Sequence, residues 1–137
     1  MSTKTAVQWN EDGSATLLAR IMARNGSGAV VTGEGKWTTQ ADFASITCKV
    51  FDRTTADTEV TPAPTIVISS VIIDTPVTDG AIWTADDTGY NFAYDIAGTY
   101  FPTGGHIYRV EFFATMTGGT TTFWWEYEGE AIARIGG

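Results

Sequence analysis

The 137-residue chain contains one cysteine, Cys48, and one histidine, His106. A lone cysteine forms no internal disulfide, so folding does not depend on an oxidising compartment. One Cys and one His also leave the usual four-ligand set of structural zinc unfilled. A serine triad needs a histidine beside the serine. His106 follows Gly104-Gly105 and reads as a loop residue, and no Gly-x-Ser-x-Gly elbow occurs. Charge is scarce as well: 18% of residues are charged, below the usual quarter, which suggests a surface partly covered by other protein. Acids outnumber bases 16 to 8, for a net charge of −8. That sign repels nucleic acid and anionic membrane, so neither is expected as a partner, while a basic protein or cations are compatible. No apolar run is long enough to span a bilayer, and Met1-Ser-Thr-Lys-Thr5 has no apolar signal core, which implies synthesis in a cytoplasm.

What the chain does have is alternation. Tyr90, Phe92, Tyr94 and Ile96 alternate with Asn91, Ala93 and Asp95. Tyr108, Val110, Phe112 and Ala114 alternate with Arg109, Glu111 and Phe113, and Phe123, Trp125 and Tyr127 alternate with Trp124, Glu126 and Glu128. Period-two spacing of large apolar residues predicts half-buried strands. Gly118-Gly119 stands where a two-residue hairpin needs positive φ. With that turn, Ala114 faces Phe123, Phe112 faces Trp125 and Val110 faces Tyr127 on the core side. Phe113 faces Trp124, Glu111 faces Glu126 and Arg109 faces Glu128 on the other side. A slip of one residue would mix the two sets.

Further strands are predicted over 6–9, 15–24, 43–52 and 65–74, with a short one over 81–84. Over 15–24, Leu17, Ala19 and Ile21 share one side, although Leu, Ala, Arg and Met also suit a helix. The run Ile66-Val-Ile-Ser-Ser-Val-Ile-Ile73 has the strongest β propensity. Residues 28–39 and 53–64 read as loops. Seven or eight strands separated by turn signals, with no helix, indicate an all-β chain and an antiparallel β-sandwich.

Few residues point to chemistry. Cys48 falls on the apolar side of Ile46, Cys48, Val50 and reads as a small buried hydrophobe. Gly26, Gly28, Gly33 and Gly35-Lys36 lack the spacing of a phosphate loop. Asp79, Asp86 and Asp87 cluster in a loop where calcium would find oxygen ligands, but acidic loops are ordinarily solvated, so no metal is assigned. Glu111 and Glu126 are the one two-carboxylate pair. Like charges directly opposite destabilise a hairpin, and Arg109, or Lys49 on an adjacent strand, would offset them. A glycosidase needs such a pair in a cleft, which a flat sheet face does not provide. No catalytic residue and no cofactor is therefore assigned. Phe113 and Trp124 stand out instead: an outward aromatic pair is either covered by a loop, such as the one holding Trp37, or forms an interaction patch. Phe113, Trp124 and Trp37 are the candidate interface residues.

Several stretches together resemble small Ig-like proteins of tailed bacteriophages and prophages. They are Ala15-Thr-Leu-Leu-Ala-Arg-Ile21, Thr39-Gln-Ala-Asp-Phe-Ala-Ser-Ile-Thr-Cys-Lys-Val-Phe-Asp52, Gly89-Tyr-Asn-Phe92 and Tyr108-Arg-Val-Glu-Phe112. The layout is similar to the β-sandwich domain at the N-terminus of phage baseplate and fibre-attachment proteins, with a tyrosine near the corner leading into a late strand. The resemblance implies an arm and first strand over 1–14, an Ig-like β-sandwich over 15–133 and a tail over 134–137. It also implies a non-catalytic virion structural protein, made in the host cytoplasm and bound to other virion proteins in symmetric multiple copies. Without a fibre shaft or receptor-binding head, the expected role is capsid decoration or a neck or tail adaptor. Residues 2–7 and the tail are candidates for ordering on a neighbour. The alternative is a carbohydrate-binding module that stacks sugars on Trp124, Phe113 and Trp37.

Overall fold

The computed structural model describes residues 2–19, 21–23, 36–77, 90–118 and 122–133. For residues 2–4, 22–23, 36–37 and 74–77 it describes the backbone path alone. The described chain is mostly β. Its strands are β1 (Ser2–Ala6), β2 (Trp9–Asn10), β3 (Ala15–Ala19), β4 (Met22–Ala23), β5 (Lys36–Trp37), β6 (Phe43–Asp52), β7 (Thr58–Glu59), β8 (Ile72–Val77), β9 (Tyr90–Ile96), β10 (Ile107–Met116) and β11 (Thr122–Ile132). The larger sheet has the order β1-β11-β10-β6-β7, with β2 also pairing with β11. The smaller has the order β3-β9-β8, and β4 and β5 form a separate ribbon. Among the described residues no helix is long and apolar enough to cross a membrane.

The predicted hairpin register holds throughout. Ala114 pairs with Phe123, Phe112 with Trp125, Val110 with Tyr127, Phe113 with Trp124, Glu111 with Glu126 and Arg109 with Glu128. Gly118 has φ +103°, a value open to glycine because it has no β-carbon. Gly119 and Thr120 lie outside the described residues. Tyr108, Val110, Phe112 and Ala114 are all fully buried. The two sheets meet where Phe92 of β9 sets its edge against Phe112 and Trp125, at ring-centroid distances of 5.0 and 5.2 Å. Phe112 and Trp125 themselves stack at 5.3 Å across their pair. Such offset and edge-on contacts add to the burial of the rings.

Other expectations are corrected. The strand predicted over 6–9 is two segments, β1 and β2, both running parallel to β11. Residues 2–7, read as an arm for a neighbour, pair within their own chain, and the Val7 N–H donates to the Glu128 carbonyl at 3.0 Å. Trp9 is buried against Phe101, ring centroids 4.4 Å apart, and its indole N–H donates to the Tyr108 carbonyl. The segment 65–74 is not one strand. Ile68–Val71 forms a single helical turn before β8 begins. The Ser69-Ser70 pair breaks the apolar run, and the turn swings both Val71 and Ile72 into the core, which an alternating strand cannot do with neighbours. The predicted strand 15–24 is β3 followed by β4. The loop expected over 53–64 includes β7, which pairs with β6. Residues 81–84, and residues 24–35 of the glycine-rich stretch, lie outside the described residues.

Asn91, which alternates with the apolar residues of β9, is itself fully buried. Its carboxamide oxygen accepts from the Ile21 N–H at 2.8 Å. Its amide nitrogen donates to the Ile21 carbonyl at 3.1 Å and to the carbonyl and hydroxyl of Thr38 at 3.0 and 2.8 Å. The side chain stands in for a strand at this point, giving the Ile21 N–H and the Thr38 carbonyl a partner.

Candidate functional site

The outer face of the larger sheet is assembled in rows across three strands. β6 and β10 are antiparallel with Thr47 opposite Phe113, Lys49 opposite Glu111 and Phe51 opposite Arg109. Extended across β11, the rows read Thr47–Phe113–Trp124, Lys49–Glu111–Glu126 and Phe51–Arg109–Glu128. Beyond them Ile107 faces Glu130. Because side chains alternate across a sheet, the same residues that bury Val110 and Phe112 inward hold this face outward.

Phe113 and Trp124 are exposed, at 41% and 37%. They sit opposite each other on two long paired strands, each with a further strand on its other side. The Trp37 backbone pairs with Met22 in β5; its side chain, proposed as a cover for the pair or a third aromatic, lies outside the described residues.

Arg109 is the hub of the charged rows. Its guanidinium lies over the Phe51 ring, 4.7 Å from the centroid. Its Nε stands 3.7 Å from Glu126 and 3.9 Å from Glu111, and an Nη is 3.8 Å from Asp57. These contacts exceed hydrogen-bond length, and Nε is buried with no hydrogen-bond partner. Arg109 thus offsets the Glu111/Glu126 repulsion by charge rather than by directed bonds, from the diagonal position the register predicted. Lys49, on the adjacent strand, lies directly opposite Glu111. Arg53 ties the rim together through Glu128 at 3.1 Å and Asp57 at 3.2 Å. The contacts of Arg109 with Phe51 and Asp57 lie beyond the sequence pattern, which pairs Arg109 only with the two glutamates.

His106 precedes β10, and its Nδ1 lies 2.8 Å from Asp52 Oδ2. Asp52 also accepts from the Thr54 and Thr55 N–H groups and the Thr55 hydroxyl. Burial works against its charge, but the bonds from His106 and Thr55 outweigh it and hold the carboxyl below its ordinary pKa. The pair anchors a turn. Cys48 is buried, and burial, with Glu111 adding repulsion, pushes its thiol up to about 12, which suppresses the nucleophilic thiolate. Tyr127 is likewise raised by burial, and its hydroxyl donates to the Leu18 carbonyl at 2.8 Å, linking the two sheets. Among the described residues no group of three His, Cys, Asp or Glu side chains is placed to hold a metal. Asp79, Asp86 and Asp87 lie outside them.

No family model, no curated protein and no solved structure matches this chain.

Proposed function

We propose that this chain is a non-catalytic bacteriophage virion structural protein, an Ig-like β-sandwich that docks against other virion proteins in many symmetric copies. Strand order supports the Ig-like part of this reading. The first strand runs parallel beside the last, and β3, β9 and β8 form the facing sheet. The Tyr108 hydroxyl accepts from the Thr103 N–H at 3.0 Å, the kind of bond that closes a tyrosine corner. The phage part rests on the resemblance carried by residues 15–21, 39–52, 89–92 and 108–112.

The observation that carries the docking role is the exposed Phe113–Trp124 pair. Aromatic side chains on a rigid ladder lose little freedom on binding and are favoured interface anchors. The rows of Lys49, Glu111, Glu126, Arg109 and Glu128 beside them make a polar border of the kind that stays partly wet in an interface. Capsid decoration and a neck or tail adaptor role both suit a domain that binds through one face.

The test is quantitative mass spectrometry of purified particles from cells producing the encoding phage or prophage, with the native chain or the Phe113→Ser/Trp124→Ser double variant. The native chain is expected in particles at a fixed stoichiometry, and the double variant, still folded, is expected to be depleted from them. A native chain missing from particles and binding none of their proteins overturns the proposal. Retention on a polysaccharide affinity gel, abolished by the same double variant, assigns the aromatic pair to sugar binding instead.

A further inference from the structure

We infer that β3 is a self-association edge, through which two copies of this chain join their smaller sheets strand to strand. Among the described residues the edge strands of the two larger sheets are β1 and β2 beside β11, β7, β8 and β3, and all but β3 are protected, β2 by being only two residues long. β1 carries Lys4, β7 is two residues long and includes Glu59, and β8 carries Asp74 and Pro76. Charge, proline and brevity are the usual means of blocking edge-to-edge pairing. β3 has none of them. It reads Ala15-Thr-Leu-Leu-Ala19, and among the described residues it pairs with β9 alone.

The segment is also nearly palindromic. An antiparallel two-fold pair centred on Leu17 sets Leu17 against Leu17, Thr16 against Leu18 and Ala15 against Ala19. The order β8-β9-β3 of one copy then continues into β3-β9-β8 of the other, an isologous contact of the kind that closes a dimer. Charge selects this edge for a second copy. Two chains of net charge −8 repel over most of their surfaces, and β3 is a stretch where neither brings a charge. The nearest acid across the strand is Asp95, whose Oδ1 accepts from the Thr16 hydroxyl at 2.6 Å. In the joined sheet the two Asp95 residues stand three strand spacings apart and two residues out of step, ~16 Å, beyond the screening length of physiological salt. The Leu18 carbonyl accepts from the Tyr127 hydroxyl of the other sheet and keeps a second lone pair for a partner strand.

The test is sedimentation equilibrium of the full chain from micromolar to millimolar concentration, with amide hydrogen exchange on the same samples. A monomer–dimer equilibrium is expected, with exchange at Thr16 and Leu18 slowing as concentration rises. Thr16→Lys places a charge on the exposed side of the edge and is expected to raise the dimer dissociation constant on the order of tenfold or more. The Phe113→Ser/Trp124→Ser variant is expected to leave it unchanged, so loss of the docking face and loss of this edge are read separately. A chain that stays monomeric throughout, or a concentration-dependent protection that falls on other strands, overturns the inference. A Thr16→Lys variant that dimerises as tightly as the native chain does so too. The exchange measurement needs no variant and stands if the substitution impairs folding.

Discussion

Gly129 leaves room for the backbone of Val7. A β-carbon built on Gly129 would lie 1.7 Å from the Val7 carbonyl oxygen and 2.6 Å from its carbon. The chain crosses β11 at this point, between the segment where β1 pairs with Trp124–Glu128 and the segment where β2 pairs with Ala131 and Ile132. The contact is backbone on side-chain position, so no rotamer change relieves it. Gly129→Ala is expected to destabilise the fold by about 1–3 kcal/mol, the range for overpacking a close contact. Urea unfolding checks the loss, and amide exchange should locate it at residues 5–10. An unchanged midpoint with unchanged exchange there refutes the account.

Asn91 gives a second prediction. Replacing it by leucine keeps the volume but leaves the Ile21 N–H, now bonded to the carboxamide oxygen, buried without a partner. The expected loss is about 1–3 kcal/mol. Asn91→Asp should be worse, since a carboxylate has no hydrogens to donate and would face the carbonyls of Ile21 and Thr38. The ranking native, leucine, aspartate in denaturant midpoint at neutral pH is the measurement.

Acid should unfold the protein partly through Asp52. Its carboxyl is held below the ordinary value in the folded chain, so between that lowered pKa and the unfolded value of about 3.9 the unfolded chain binds more protons. Stability therefore rises with pH across this window. The contribution is complete above the unfolded pKa and is lost as pH falls through the folded one. Asp52→Asn removes the titration. Its unfolding free energy should be lower than native at neutral pH, with the gap narrowing towards pH about 3. A constant gap across that range would show that Asp52 does not carry the dependence.

Cys48 should report unfolding. Its thiol, pushed up to about 12 by burial, has almost no thiolate at mildly alkaline pH, and its sulfur is enclosed in the core. A disulfide reagent is expected to label the native protein no faster than the chain opens, and to label it fully in denaturant. Rapid labelling of the folded protein would place the thiol at the surface.

The reach of the sequence is clearest in β10 and β11. Period-two alternation is a local property, and Tyr108, Val110, Phe112 and Ala114 against Phe123, Trp125 and Tyr127 admit one register that keeps a single apolar face. The inward and outward sets, the outward Phe113 and Trp124, and the placement of Arg109 near Glu126 all followed from it. The same reasoning failed at Ile66–Ile73, where β-branched propensity argued for a strand and two serines within it allowed a helical turn that buries consecutive residues.

The alternation of apolar and polar residues by itself determined that this is a β protein, which side of its last strands is core, and that an aromatic pair stands outside it. Tertiary structure decided the rest: β1 and β2 running parallel to β11, Asn91 buried to satisfy Ile21, and Val7 crossing Gly129. These depend on groups about 70 to 120 positions apart in the chain. Hydrophobic periodicity states which way a side chain faces, but a hydrogen-bond partner that far away is chosen only when the sheets close around a common core.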